Sequence, residues 1–142
     1  MTRNYSIIVD MSGSMAFIDA GNTKSRWQQA EDAVKYLCPN AIKCDPDGIC
    51  LYFFDSNYEK FENITSEAAV MSKFASRRPN SSTALHKVLA DAVLEDGTRA
   101  GGCCMPSTLQ AFKPETILVI TDGSPDSTTS VESVIIDATH KV

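Results

Sequence analysis

The sequence predicts an α/β fold, a doubly wound and mostly parallel sheet flanked by helices, as a single domain over residues 1–142. Three observations carry this prediction. Apolar runs of strand length, at residues 5–10, 49–54 and 116–121, are nearly continuous in Ile, Val, Leu and Phe, as strands buried on both faces are. Between them lie segments whose apolar residues recur at helical spacing, so the two periods alternate along the chain. Turn-forming clusters such as Asp45-Pro46-Asp47-Gly48 punctuate the change from one period to the other.

Each element follows from its own pattern. Residues 5–10 make the first strand. From Lys24 to about Cys38, Trp27, Ala30, Ala33, Val34 and Leu37 form an apolar stripe opposite Glu31, Asp32 and Lys35, which predicts an amphipathic covering helix. Pro39-Asn40 is expected to end it, since proline lacks the N–H that a helix interior needs. Residues 49–54 are a second buried strand. Residues 58–64 alternate in part and follow a short connection, which predicts an antiparallel edge strand. A short helix over 66–76 is broken by Arg77-Arg78-Pro79-Asn80. Ser82 or Thr83 then caps a helix with the stripe Leu85, Val88, Leu89, Ala92 and Val93. Residues 95–113, rich in Gly, Cys, Ser and Pro, read as a long surface loop, either a specificity insert or a plain connection. Residues 116–121 are the fourth strand, and Val131, Val134, Ile135 and Ala138 mark a last helix. Nothing after the fourth strand supplies a neighbour for so apolar a segment. The expectation is a chain truncated at its C-terminus, or one whose open edge is capped by a partner or by self-association.

Composition narrows the function. An apolar share of 43% and a net charge of −5 describe an ordinary soluble domain. No run approaches the roughly 20 apolar residues that span a bilayer, so no membrane partner is expected, and without a signal-peptide core the expected compartment is the cytoplasm. An acidic balance without a Lys/Arg stripe argues against nucleic acid, whose binding rests on neutralising phosphates. Five cysteines, an odd number, read as reduced thiols, with Cys50 in the core. Cys38, Cys44 and Cys103-Cys104 match none of the common zinc spacings. Asn63-Ile64-Thr65 fits a glycosylation acceptor but reads as a strand end and a helix start. His86 lies off its helix's apolar stripe and His140 lies near the terminus, so both are expected to be exposed.

The informative segment is Asp10-Met11-Ser12-Gly13-Ser14, where a carboxylate and two hydroxyls leave the C-terminal end of the first strand. Oxygen donors of this kind suit a hard divalent cation, magnesium first, with manganese or calcium as alternatives. Two later segments strengthen the reading: Ser81-Ser82-Thr83-Ala84-Leu85 entering a helix, and Ile117-Leu118-Val119-Ile120-Thr121-Asp122-Gly123 leaving a strand.

Together the three pieces resemble the metal-ion-dependent adhesion site of a von Willebrand factor A domain. That domain has a Rossmann-like sheet, and the resemblance covers essentially the whole chain with five motif positions filled: Asp10, Ser12, Ser14, Thr83 and Asp122. The resemblance implies a 3-2-1-4 strand order with the first and fourth strands flanking the switch point, where open α/β sheets bind ligands. It further implies that Ser12 and Ser14 bind the metal through their hydroxyls and Thr83 directly or through water. Asp10 and Asp122 would act mainly through waters and hydrogen bonds behind those ligands. Many relatives carry two glycines where this chain has Ser81 and Ser82. Lys24-Ser25-Arg26-Trp27 and Asp122-Gly123-Ser124-Pro125-Asp126 resemble compact bacterial cytoplasmic members, which implies an intracellular adaptor. Asp19, Ser124 and Asp126 lie near the motif as solvated loop residues.

The implied function is a protein–protein interaction module. A cation ringed by neutral hydroxyls is incompletely neutralised, so a partner's Glu or Asp carboxylate can complete its shell. No enzyme activity is expected. The alternative, a metal-dependent hydrolase or phosphatase of haloacid-dehalogenase type, needs a second carboxylate two residues after its nucleophile, and Ser12 stands there. A serine hydrolase would need the glycines of a nucleophile elbow, which Met11-Ser12-Gly13-Ser14-Met15 lacks.

Overall fold

The computed structural model describes residues 3–94, 114–123 and 128–140. The loop predicted over 95–113 and the positions Ser124 and Asp126 lie outside the described residues. The strands are β1 (Asn4–Asp10), β2 (Ile49–Phe54), β3 (Tyr58–Ile64) and β4 (Glu115–Ile120), and they form one open sheet in the order β3-β2-β1-β4. β1 pairs in parallel with β2 and β4, while β3 runs antiparallel to β2. The short connection after Asp55 permits only that antiparallel return.

Helices lie on both faces. On one face, α1 (Arg26–Cys44) and α2 (Glu67–Ala75) bury Trp27, Ala30, Val34, Val70 and Phe74 against Ile7, Val9, Leu51 and Phe53. On the other, α3 (Leu85–Leu89), the π-helical turn Ala90–Leu94 and α4 (Thr128–His140) cover Ile8, Tyr52 and Phe54. Successive residues of β1 and β2 thus serve opposite cores, which is why both strands read as unbroken apolar runs. Phe53 is the centre of the first core: its ring lies 5.7 Å from Trp27, 5.0 Å from Phe74 and 6.3 Å from Phe61, with the Arg77 guanidinium 5.1 Å above it. In the second core, the buried Asp91 accepts hydrogen bonds from Tyr52 (2.8 Å) and Tyr58 (3.2 Å) and pairs with Lys60 at 3.2 Å.

Three sequence expectations are corrected. Pro39 does not end α1, which continues to Cys44 with the proline inside it. Ala41 and Ile42 pack against the first core, and that packing holds the last turn on the sheet despite the lost backbone bond. The helix after the Asn80 break begins at Leu85 with Ala84 as its cap, so neither Ser82 nor Thr83 caps it. Ala84 N–H instead donates to the Asp55 carbonyl at 2.7 Å, and this tertiary bond sets the boundary. His86 is half-buried with its Nδ1 atom inside, because α3 is wedged between β2 and α4.

Gly48 is required by its backbone: φ is +102°, and an added Cβ would sit 2.7 Å from the Asn63 carbonyl carbon. Cys38 and Cys50 are buried and Cys44 exposed, and none of the three forms a disulfide. Burial raises the Cys38 thiol pKa, with a smaller contribution from Glu67, which disfavours the thiolate a metal would need.

Among the described residues no strand pairs with the outer edge of β4, and Leu118 in it is 36% exposed. Ile135 and Ile136 of α4 are exposed as well. A sheet edge left open recruits another strand. Light scattering over a dilution series tests the expectation of self-association through this edge. A monomer across the whole range would contradict the expectation. No described helix is long and apolar enough to cross a membrane.

Candidate functional site

Parallel pairing of β1 and β4 brings their C-terminal ends together. Val9 stands opposite Ile120, so Asp10 leaves the sheet beside Thr121 and one residue short of Asp122. Asp10 is fully buried. Its Oδ2 accepts the Thr121 hydroxyl at 2.7 Å and its Oδ1 accepts the Ser12 N–H at 2.7 Å. The second bond closes an Asx turn, which folds the chain back on itself after the strand. A single 3₁₀ turn, Gly13–Ala16, follows, pinned by the buried Met15.

That turn lines up the hydroxyls. Ser12 Oγ and Ser14 Oγ lie 3.2 Å apart, and Ser14 donates to Asp122 Oδ1 at 2.9 Å. Four of the five sequence-predicted positions, Asp10, Ser12, Ser14 and Asp122, therefore form one connected cluster at the end of the sheet. The segment that carries Thr83 is tied to the loop after β1 and to Asp55 through its neighbours. Asn80 N–H donates to the Met11 carbonyl at 2.8 Å, Gly13 N–H donates to the Ser81 carbonyl at 3.0 Å, and Ala84 is tied to Asp55. Thr83, half-buried, stands between these anchors. Ser81 takes a left-handed backbone, φ 67°, to present its carbonyl to Gly13. This conformation is one that glycine adopts without cost and serine does not.

Three contributors escaped the sequence reading. Thr121 stands in the sequence only as a strand end, although its register opposite the β1 terminus makes it the natural donor to Asp10. Arg26 is the second. Its Nη1 donates to Asp122 Oδ2 at 2.7 Å, while Nε and Nη2 grip Asp19 at 3.0 and 2.6 Å. Asp19, expected to be a solvated loop residue, is thus a partner of the arginine that touches the site. The local reason lies in the capping box of α1, in which Ser25 accepts from Gln28 N–H and the Gln28 side chain accepts from Ser25 N–H. That box makes Arg26 the first residue of the helix. The Arg26 backbone N–H also bonds the Phe17 carbonyl at 3.0 Å, and its guanidinium sits 5.9 Å over the Phe17 ring. Arg26 and Asp122 are 96 residues apart, so no local pattern could have paired them.

The electrostatics follow the contacts. Hydrogen bonds first to Asp19 and then to Asp122 raise the Arg26 pKa further above its already high value. The same guanidinium lowers the Asp19 carboxyl, against a smaller opposing effect of desolvation. Among the described residues no three His, Cys, Asp or Glu side chains gather as a metal cluster.

No protein-family model matches the sequence, and no curated protein matches it either.

Proposed function

We propose that the chain is a metal-dependent protein–protein interaction module of von Willebrand factor A type, with a Rossmann-like doubly wound sheet and a divalent cation, magnesium first, held at Ser12, Ser14 and Thr83. One observation carries the reading: Ser14 Oγ lies within hydrogen-bond distance of both Ser12 Oγ and Asp122 Oδ1 at the C-terminal edge of the sheet. Adjacent oxygens in an octahedral shell at roughly 2.0–2.1 Å from the ion are about 2.8–3.0 Å apart. The Ser12–Ser14 separation of 3.2 Å is a few tenths of an ångström wider than one edge of such a shell. Because Ser14 gives its proton to Asp122, its lone pairs remain available as a ligand, and Asp122 sets their direction. Asp10 does the same for the backbone, holding Ser12 in place through its N–H. When bound, the cation supplies a Lewis-acidic docking point for a carboxylate from a partner protein.

Burial also favours this reading over the hydrolase alternative. An aspartyl nucleophile must reach its substrate, whereas Asp10 is fully buried with one oxygen on the Ser12 amide and the other on the Thr121 hydroxyl.

Titration calorimetry tests the proposal. Mg²⁺ or Mn²⁺ added to metal-free protein is expected to bind at one site, and Ser12→Ala with Ser14→Ala to remove that binding. Absence of binding by the wild type, or binding that survives both substitutions, overturns the reading. Capture of a partner is expected to be lost with EDTA and reduced about 10–100-fold by Thr83→Ala or Asp122→Ala. Capture indifferent to chelation would move the interface away from these residues.

A further inference from the structure

The geometry points to Arg26 as the positioning residue that makes the proposed cation site depend on an external anion, by keeping Asp122 from becoming a direct ligand. This inference rests on the metal reading above. Asp122 divides its two oxygens: Oδ1 accepts the Ser14 hydroxyl at 2.9 Å, and Oδ2 accepts Arg26 Nη1 at 2.7 Å. The guanidinium is itself held from behind by Asp19, through Nε at 3.0 and 3.2 Å and Nη2 at 2.6 Å, and from the side by the Phe17 ring. It is anchored at the backbone too, as the first residue of a capped helix. Arg26 therefore cannot swing aside without losing both carboxylates.

Two consequences follow for the site. With Oδ2 engaged, Asp122 cannot turn to chelate an ion beside Ser14. Its charge is also balanced by an arginine that stays protonated at any pH the fold survives. The Asp122 side chain is 10% exposed and that of Arg26 31%, so water screens that balance in part. A cation at Ser12 and Ser14 then meets neutral hydroxyls on this side and retains enough positive charge to attract a partner's carboxylate. Without Arg26 the same aspartate would be free to supply the negative charge from within, and the site would hold its cation more tightly while needing the partner less.

A thermodynamic cycle with Mn²⁺ as the probe tests this. Arg26→Met is expected to bind Mn²⁺ on the order of tenfold more tightly than the wild type, within the range that groups supporting metal ligands commonly control. In an Asp122→Asn background the same substitution should have no such effect, because the aspartate through which Arg26 acts is gone. Acetate, standing in for the partner's carboxylate, is expected to strengthen Mn²⁺ binding to the wild type and to lose that effect in Arg26→Met. Melting curves establish that each variant is folded; should Arg26→Met not fold, Arg26→Gln carries the same comparison with a neutral side chain that is polar. A folded variant that binds Mn²⁺ equally or more weakly than the wild type overturns the inference and leaves the metal site standing. A wild type that binds no Mn²⁺ removes both.

Discussion

Asp10→Ala is expected to abolish divalent-cation binding and to destabilise the fold by about 1–3 kcal/mol, the cost of leaving the buried Ser12 N–H without its acceptor. The Asp10 carboxylate accepts from two donors, the Ser12 N–H and the hydroxyl of the exposed Thr121, each at 2.7 Å, and water can replace the acceptor only at the second. Losing the first undoes the turn that aligns Ser12 with Ser14. Losing the second separates the loop after β1 from the loop after β4. Asp10→Asn keeps the size but not the charge, and its amide nitrogen would face one of these two donors. It is expected to fall between alanine and the wild type in a denaturant melt. Calorimetry on both variants beside the melts separates binding from folding. An Asp10→Ala protein that retained Mn²⁺ affinity would show that this carboxylate does not organise the site.

Phe53→Ala is expected to produce the largest loss of stability that a single core substitution makes here, about 3–5 kcal/mol, the range for removing a fully buried aromatic ring. Phe53 is 0% exposed, and three aromatic rings and the Arg77 guanidinium surround it. Neighbours from α1, α2 and β3 would all face the cavity, and rings held from three elements cannot collapse together to fill it. Urea unfolding followed by Trp27 fluorescence reads the effect directly, because Trp27 packs on Phe53 at 5.7 Å. A loss below about 1 kcal/mol would mean that the site repacks freely, contrary to the usual behaviour of dense cores.

Much of the architecture was legible because it depends on local patterns. Continuous apolar runs at β1 and β2 reflect burial on both faces. Trp27, Ala30 and Val34 reflect one covered helix face, although Ala33 and Leu37 of the same predicted stripe are exposed, and Gly48 reflects a backbone that only glycine tolerates comfortably. The antiparallel β3 followed from a connection too short to cross over. The misjudged points share a cause. Pro39 argues locally for a helix end, yet the packing of Ala41 and Ile42 carries α1 on to Cys44. Thr83 looks like a cap, yet the Ala84–Asp55 backbone bond starts α3 two residues later.

The candidate site divides along the same line. Local patterns alone give the donor types and their place after strand ends: Asp10, Ser12 and Ser14 within five residues, and Asp122 two residues after the last apolar residue of a strand. Short-range spacing and the strand period suffice for that. Only the tertiary structure decided that Ser14 reaches Asp122, that Thr121 seals Asp10, and that Arg26 ties Asp122 to Asp19. These contacts join residues about a hundred positions apart, apart from the Arg26–Asp19 pair, and they exist because β1 and β4 lie side by side in parallel. A pairing of strands distant in the chain is set by the burial of the whole sheet between two helical layers, a global quantity that no local pattern encodes.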